Sequence, residues 1–246
     1  MNALGRCGKR TQDTGVNPIR ILTPTQEKFL HAFFERELPS EAFYLTGGTA
    51  LSAYYLQHRY SDDLDFFTRD SGALRFAETR VQRASREADL QVDRVDKTPD
   101  AVRYFFSGDE HPGHPLRKVE LMFDPPPYFA APRVFEGVVV DDLLCIAVNK
   151  LTIHTRDDPK DYVDLYLIIR SGRYELENLI HLAKQKMVGL DELTIAAKFE
   201  RVGDLLDVAK FQGDYMVTSV DTDELIRFYM EWAARLFSLL PPMQQE

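Results

Sequence analysis

Two aspartates, Asp63 and Asp65, lie two residues apart within an apolar run, DLDFFT. Because side chains alternate along a strand, both carboxylates would face one side, and Leu64 and Phe66 the other. Carboxylates spaced by about 6.6 Å on a rigid strand can bind one divalent metal ion or a pair of ions. The pattern therefore predicts metal ligands for phosphoryl or nucleotidyl transfer. The alternative interpretation is an exposed strand face that carries two acids.

A third carboxylate is expected from a neighbouring strand, KVELMF at 118–123. Its apolar residues share one face, which leaves Lys118 and Glu120 on the other. Glu120 is the predicted third metal ligand, and Asp124, at the end of the strand, is the alternative. A cross-strand ion pair is a competing role for Glu120.

A glycine pair, Gly47 and Gly48, ends the apolar run that precedes the aspartates. Without a Cβ atom, glycine adopts positive φ and allows phosphate oxygens close to the main chain, and Thr49 offers a hydroxyl at a helix start. The pair is predicted to bind phosphate. The same glycines also suit a purely structural turn between a strand and a helix.

Lys150 and Asp164 are charged residues in apolar helical segments. The lysine either extends its ammonium to solvent or holds an anion. An aspartate in YVDLYLII needs a partner because burial of an unpaired charge is costly, and Lys150 or Arg156 could supply it. Asp161, in the first turn of its helix, is explained by the helix dipole alone. Whether Asp164 acts on substrate or orients Lys150 is left open.

The composition indicates a protein with a large core: 246 residues, 44% hydrophobic and 28% charged. No apolar run is long enough for a transmembrane helix, and the polar N-terminus lacks the apolar segment of a secretory signal. Cys7 and Cys145 provide neither a disulfide framework nor a cysteine-based zinc cluster. The histidines show no metal-ligand spacing. A cytoplasmic location without membrane association is expected.

The net charge of −9 argues against non-specific binding of nucleic acid by the whole surface. A local basic face remains open, because a predicted helix near 72–88 carries four arginines, Arg75, Arg80, Arg83 and Arg86. Neighbouring acids favour an ordinary solvated helix instead.

The predicted organisation is an α+β fold with a boundary near residue 141. Residues 1–22 form a flexible arm, residues 23–140 a mixed sheet with helices, and residues 141–246 a helical region that completes the active site. An N-cap at Thr23 starts the first helix. Further helices are predicted at 49–58, 72–88, 142–154, 159–170, 175–187, 191–208 and 221–240. Strands are predicted up to Thr46, around 63–67, at 90–95, 101–106 and 118–123, and as one short strand in FEGVVV.

Three blocks together resemble a known family. They are GGTAL at 47–51, HRYSDDLDF at 58–66, and KL at 150–151 followed by RDDPKDYVDL at 156–165. In this order they are similar to the AbiEii/AbiGii toxin nucleotidyltransferases of the polymerase-beta-like superfamily. The resemblance covers about residues 41–170. The spacing of fourteen residues between Gly48 and Asp63 is at the long end for the superfamily signature.

The resemblance implies a polymerase-beta-like mixed sheet and a metal-dependent nucleotidyltransferase activity. Mg²⁺ or Mn²⁺ would be the cofactor and an NTP, such as ATP, the substrate. Asp63, Asp65, Lys150 and Asp164 would be catalytic, with Lys150 contacting the triphosphate; Arg59 would contact phosphate and Ser61 would fix the turn. RNA, such as a tRNA end, would be the acceptor, and a cognate antitoxin the partner of a toxin or phage-defence protein.

Two other functions are compatible with the same residues. In the first, the chemistry is retained and the acceptor is a small molecule or a protein side chain, which the acidic charge favours slightly. In the second, the protein binds a nucleotide without turnover. The second is the weaker hypothesis, because both aspartates, both glycines and the lysine are present.

Overall fold

The computed structural model describes residues 20–35, 43–152, 158–205 and 215–239. The predicted N-terminal arm lies outside these ranges except for residues 20–22, of which Ile21 is buried. The predicted helix ends at 153–154, 206–208 and 240 also lie outside the described residues.

The strands form one mixed sheet of seven in the order β3-β4-β5-β2-β1-β7-β6. The parallel pairs are β2 with β5 and β1 with β7, and the other neighbours are antiparallel. The strands are β1 (Tyr44–Thr46), β2 (Asp63–Thr68), β3 (Gln91–Lys97), β4 (Ala101–Ser107), β5 (Lys118–Phe123), β6 (Arg133–Phe135) and β7 (Val138–Val140).

The prediction of a single short strand in FEGVVV was wrong, because this segment belongs to a hairpin. β6 and β7 are antiparallel and are joined by Glu136 and Gly137, whose φ angles are 48° and 88°. Positive φ at both positions is typical of a tight hairpin turn. The sequence signal for β6 is weak because RVF is only three residues long.

The helices flank the sheet and make up most of the chain after residue 141. They are α1 (Pro24–Phe34), α2 (Gly47–Leu51), α3 (Ala77–Glu87), α4 (Leu143–Thr152), α5 (Pro159–Arg170), α6 (Leu176–Lys186), α7 (Glu192–Glu200), α8 (Val202–Leu205) and α9 (Thr222–Ser238). A π-helical segment, Ser52–Leu56, extends α2, and a 3₁₀ segment, Ser71–Phe76, precedes α3. None of the helices in the described ranges is long and apolar enough to cross a membrane.

Local signals place the helix starts correctly. Thr23 and Gln26 form a capping box at the start of α1, with Pro24 in the first turn. Asp158 caps α5 by accepting from the Lys160 backbone N–H. The predicted α+β layout is confirmed.

The aromatic side chains of α1 hold β2 from one side. Phe66 is fully buried and stacks on Phe33, with ring centroids 4.1 Å apart. Leu64 is also fully buried, whereas Asp63 and Asp65 on the other face remain partly exposed. The predicted alternation is confirmed, and the packed face fixes the strand that presents the two acids.

The buried hydrophobic residues on both sides of residue 141 belong to one cluster. Val140 of the sheet and Ile146 of α4 are both members. On the helical side, the Tyr162 hydroxyl donates to the Lys198 carbonyl, and the Tyr229 hydroxyl donates to the Tyr162 carbonyl. These contacts fix α5, which carries Asp164. The division into a domain at 23–140 and another at 141–246 stays a prediction.

Candidate active site

Asp63 and Asp65 lie on the open face of β2, next to β5. The parallel register sets Asp63 opposite Lys118 and Asp65 opposite Glu120. The Asp63 side chain is 43% exposed, so its carboxylate is available to a ligand. The two predicted metal ligands are therefore on one face, as the alternation requires.

Glu120 reaches the same face but is engaged in ion pairs. Arg103, its cross-strand partner on β4, donates from Nε to Oε1 at 2.5 Å. Lys118 Nζ lies 3.6 Å from Glu120 Oε2 and 3.1 Å from Asp63 Oδ2. The competing interpretation of Glu120 as half of a cross-strand pair is confirmed. Its role as a metal ligand stays a prediction that requires these cations to move.

We call Asp63, Asp65, Lys118, Glu120 and Arg103 the strand cluster. The pKa of Asp65 is raised to about 6, chiefly by burial and also by the negative charges of Asp63 and Glu120, while the charge of Lys118 opposes the rise. Burial alone would lower the pKa of Lys118, but Asp65 and Asp63 raise it above its ordinary value. An additional positive charge beside Asp65 would therefore stabilise its ionised form.

Asp124, the alternative third ligand, lies at the far end of β5 and has other partners. Its carboxylate accepts from the Tyr44 hydroxyl and from Lys186 Nζ, which is 2.6 Å away. Four residues along a strand separate it from Glu120, a distance of about 13 Å. Asp124 therefore does not belong to the strand cluster.

The glycine pair begins α2 directly after β1. A Cβ on Gly47, whose φ is +68°, would lie 2.6 Å from Asp65 Oδ2. A Cβ on Gly48 would lie 2.3 Å from Arg59 Nη2 and 3.2 Å from Ser61 Oγ. Both glycines are thus required by the close approach of side chains that the site uses. Binding of phosphate by these glycines stays a prediction.

Thr49 and Ser61 hold the backbone around the acids. The Thr49 hydroxyl donates to the Asp63 carbonyl, so its proton is not directed to a phosphate. The Ser61 carbonyl accepts from the Gln26 side chain at 2.6 Å, which ties the segment before β2 to α1. Ser61 therefore lies in an anchored segment beside Gly48, and its role in fixing a turn stays a prediction.

Asp164 is completely buried and is the centre of a second charged group. Its Oδ1 accepts from Arg59 Nε at 2.7 Å and lies 2.8 Å from His58 Nε2. Its Oδ2 accepts from Arg59 Nη2 at 2.7 Å and lies 2.6 Å from Lys150 Nζ. Burial opposes ionisation, but the charges of Arg59 and Lys150 hold the pKa of Asp164 well below its usual range.

These contacts bear on two predicted roles. No part of the Asp164 side chain is exposed, which favours the alternative in which it orients Lys150, and its role stays a prediction. Arg59 was predicted to contact phosphate, but it is buried and its guanidinium donates to Asp164 and to the Tyr60 carbonyl. The predicted partner Lys150 is confirmed; Arg156 lies outside the described residues.

Lys150 is held by two carboxylates. Its Nζ donates to Asp161 Oδ1 at 2.7 Å in addition to its contact with Asp164. Burial alone would lower the pKa of Lys150, but Asp164 and Asp161 raise it above its ordinary value. The ammonium therefore stays charged although it is nearly inaccessible. We call His58, Arg59, Lys150, Asp161 and Asp164 the Asp164 cluster.

Sequence reasoning missed four members of these clusters, one of which is Arg103, the partner of Glu120. Asp161 was explained by the helix dipole, yet it is buried and pairs with Lys150. His58 was given no role, and Lys118 was placed on the correct face without one. The position of His58 inside the HRYSDDLDF block was the available signal for that residue.

A cavity of about 120 Å³ joins the two clusters. We call it the active-site cavity, and its walls come from α2, α4, β2 and β5. Its lining residues are Thr46, Gly47, Gly48, Asp65, Phe67, Lys118, Glu120, Met122, Ile146, Asn149 and Lys150. A larger cavity, about 570 Å³, lies apart from both clusters beside α1 and the β6–β7 hairpin.

Of the four arginines that left a local basic face open, Arg75 and Arg86 are exposed but Arg80 is not available at the surface. Arg80 is buried under the rings of Phe33 and Phe43 and donates to the Phe33 carbonyl. Arg83 donates to the Glu35 carbonyl. Both arginines bind helix α3 to the chain at the end of α1, so Arg80 in particular cannot contact an RNA.

The donor set fits a divalent metal held by two carboxylates. Mg²⁺ is commonly bound by one or two carboxylates together with substrate phosphates, which matches Asp65 in the wall of the active-site cavity and the exposed Asp63 on the same strand face. Within the described ranges, no group of three or more potential ligands is arranged to hold a metal ion. Glu120 would join only after separating from Arg103 and Lys118.

Comparisons with known proteins identify the class to which this fold and site belong. JHP933 from Helicobacter pylori is 19% identical with a TM-score of 0.51, over 87% of this chain and 89% of that one. Another H. pylori protein, provisionally assigned as a nucleotidyltransferase, is 17% identical with a TM-score of 0.55, over 90% and 96%. At these identities the likeness shows that the chain has a nucleotidyltransferase fold.

The family follows from the sequence match. A family model described as nucleotidyl transferase AbiEii toxin, type IV TA system, matches residues 28–243. The protein therefore belongs to the AbiEii nucleotidyltransferase toxin family and is a nucleotidyltransferase, as the three blocks indicated. An uncharacterized Aquifex aeolicus (strain VF5) protein, aq_aa25, is 30% identical over 153 residues, which are 61% of this chain and 68% of the relative.

Proposed function

We propose that the protein transfers a nucleoside monophosphate from an NTP to an acceptor hydroxyl in a metal-dependent reaction. The observation that carries this proposal is the shared cavity of Asp65, Lys150 and the glycine-opened start of α2. Asp63 completes the pair of carboxylates beside it. A carboxylate pair next to a buried cation suits a polyphosphate substrate.

In this reaction the acceptor oxygen forms a bond to the α-phosphorus of the NTP. The bond from the α-phosphorus to the bridging oxygen breaks, pyrophosphate leaves, and the hydroxyl proton passes to solvent. Asp63 and Asp65 would hold Mg²⁺ or Mn²⁺, which neutralises phosphate charge and acidifies the attacking hydroxyl. Lys150, kept charged by Asp161 and Asp164, attracts the triphosphate from the opposite wall of the cavity.

The acceptor and the biological role are extended from the family. We propose that the acceptor is an RNA hydroxyl, such as the end of a tRNA, and that a cognate antitoxin opposes the activity. The reaction would take place in the cytoplasm, where NTPs and RNA are both present. The description of the family as a type IV toxin–antitoxin toxin supports the toxin role and the antitoxin partner.

Transfer of label from each α-³²P-labelled NTP tests the proposal, with Mg²⁺ or Mn²⁺ and with tRNA, total RNA, protein and small hydroxyl compounds as acceptors. We expect label on RNA from the wild type, and at least a 100-fold loss in Asp63→Ala and Asp65→Ala because the metal would lose a carboxylate. Asp62→Asn is the matched control, since Asp62 contacts His114 and Tyr215 instead.

The control variant should keep its rate within about threefold of the wild type. Full activity in Asp63→Ala and Asp65→Ala, or activity that survives chelation of divalent metals, would exclude the metal-dependent reaction. Label that appears on protein or on a small molecule and not on RNA would overturn the acceptor assignment alone.

A further inference from the structure

The lining of the active-site cavity includes three apolar side chains and one amide in addition to its charged residues. Phe67 and Met122 follow Asp65 and Glu120 by two residues each, so they extend the same sheet face, and they are paired in register. Ile146, Asn149 and Lys150 come from α4 at positions i, i+3 and i+4, which share one side of a helix. The cavity thus has a charged end and an apolar end with Asn149 beside it.

The Asn149 side chain carries an unused hydrogen-bond donor. Its Nδ2 atom is buried and has no hydrogen-bond partner among the residues that the structure describes. A buried donor without a partner is unfavourable, and most such groups in native proteins are satisfied by protein, water or ligand. An orphan amide in the wall of a cavity is therefore available to pair with an acceptor atom of a ligand.

We propose that Asn149 selects the nucleobase of the NTP. The inference rests on the proposed function, which places the phosphates beside Asp65, Gly47 and Lys150. The nucleoside then occupies the apolar end, where Phe67 and Met122 offer a surface for a flat base. The Asn149 Nδ2 donates to an acceptor atom on the edge of that base.

A neutral amide suits recognition of a nucleobase better than recognition of a phosphate. Asn149 is neutral, and the neighbouring charges of Lys150 and the metal ligands already serve the phosphates. A site that hydrogen-bonds one substrate edge discriminates strongly against a substrate that leaves the site's polar group unpaired. Bases differ at their edges in whether they present a carbonyl acceptor or an amino donor.

Equilibrium binding tests this assignment without requiring turnover. Isothermal titration would measure the dissociation constants of the four α,β-methylene NTP analogues with Mg²⁺, for the wild type, Asn149→Leu, Asn149→Asp and Cys145→Ala. Cys145 is the control because it is buried on the same helix but outside the cavity. Circular dichroism would verify that each variant is folded.

We expect the wild type to bind one of the four analogues most tightly. Asn149→Leu should weaken the binding of that analogue about tenfold and the binding of the others less, so the affinities of the four become more alike. Asn149→Asp offers acceptors only, so it should move the order toward bases that present an amino group. Cys145→Ala should keep the wild-type order.

If both Asn149 variants keep the wild-type order of the four dissociation constants and the differences between them, the inference is overturned. Equal affinity of the wild type for all four analogues would do the same. Failure of the proposed function would look different: the analogues would bind, but the natural NTPs would not be transferred to any acceptor. Transfer with a base preference that ignores Asn149 would leave the function intact and remove only this residue's role.

Discussion

The Asp164 cluster and the strand cluster differ in charge balance and in access to solvent. The Asp164 cluster pairs two carboxylates with two cations, Arg59 and Lys150, and Asp164, Arg59 and Lys150 are all buried. The strand cluster has three carboxylates against two cations, Lys118 and Arg103, and Asp63 is 43% exposed. The charged groups of the first cluster are paired within the protein, whereas the second has one more carboxylate than it has cations and is open to a ligand.

This difference distinguishes the residues proposed to position a neighbour from the residues proposed to bind a ligand. The charges of Arg59 and Lys150 lower the pKa of Asp164. The Asp164 carboxylate in turn raises the pKa of Lys150, which keeps the ammonium charged and in position. Asp65 shows the opposite shift: its pKa is raised to about 6, chiefly by burial and also by the charges of Asp63 and Glu120. Under the proposed function, a metal ion would supply positive charge at the strand cluster, whereas the carboxylates of the Asp164 cluster are already paired with Arg59 and Lys150.

The largest expected effect comes from breaking the balanced cluster. Asp164→Ala would leave Arg59 and Lys150 buried without their main partner, so we expect the free energy of unfolding in urea to fall by about 3–5 kcal/mol. Asp93→Ala, an exposed acid on β3, is the control and should change it by less than about 0.5 kcal/mol. A loss below about 1 kcal/mol in Asp164→Ala would show that the cluster does not act as a buried frame.

A smaller loss of stability is expected from substituting Gly48, because this glycine lets Arg59 of the Asp164 cluster approach α2. Gly48→Ala would place a Cβ 2.3 Å from Arg59 Nη2, which Asp164 holds in position, so we expect a loss of about 1–3 kcal/mol in unfolding free energy. Gly203→Ala is the matched control, since a Cβ added at Gly203 would have no neighbouring atom from elsewhere in the fold within 4 Å, and alanine favours a helix. Equal stability of the two variants would mean that Arg59 moves freely.

The local parts of this arrangement could be predicted from the sequence. The alternation of Asp63 and Asp65 with Leu64 and Phe66 is visible in six residues, and it fixed both the strand and its open face. The lysine partner of Asp164 also followed, because a charge in an apolar helix requires one. The capping residues Thr23 and Asp158 placed two helix starts for the same local reason.

The contacts between distant segments could not be predicted. Arg59 and His58 reach Asp164 across 105 and 106 residues of chain, and no periodicity records such a pairing. Arg80 looked like a surface residue at helical spacing, but packing against Phe33 and Phe43 buries it. Asp161 had a sufficient local explanation in the helix dipole, which concealed its contact with Lys150.

The most direct test compares the unfolding free energies of the wild type, Asp65→Asn and Asp164→Asn from pH 4 to pH 8 without divalent metal. An unfolded aspartate ionises near pH 3.9, whereas folded Asp65 ionises near pH 6, so the folded wild type binds more protons between these values. Its stability therefore falls as the pH rises through this range, by about 2–3 kcal/mol relative to Asp65→Asn.

At pH 7 we predict that the two substitutions change the free energy of unfolding in opposite directions. Asp65→Asn should be more stable than the wild type, because it removes an acid that folding makes harder to ionise. Asp164→Asn should be less stable, because it removes the charge that Arg59 and Lys150 require. The contrast between the charge-balanced Asp164 cluster and the open strand cluster would be contradicted if both variants were less stable than the wild type. It would also be contradicted if the difference in unfolding free energy between wild type and Asp65→Asn did not change from pH 4 to pH 7.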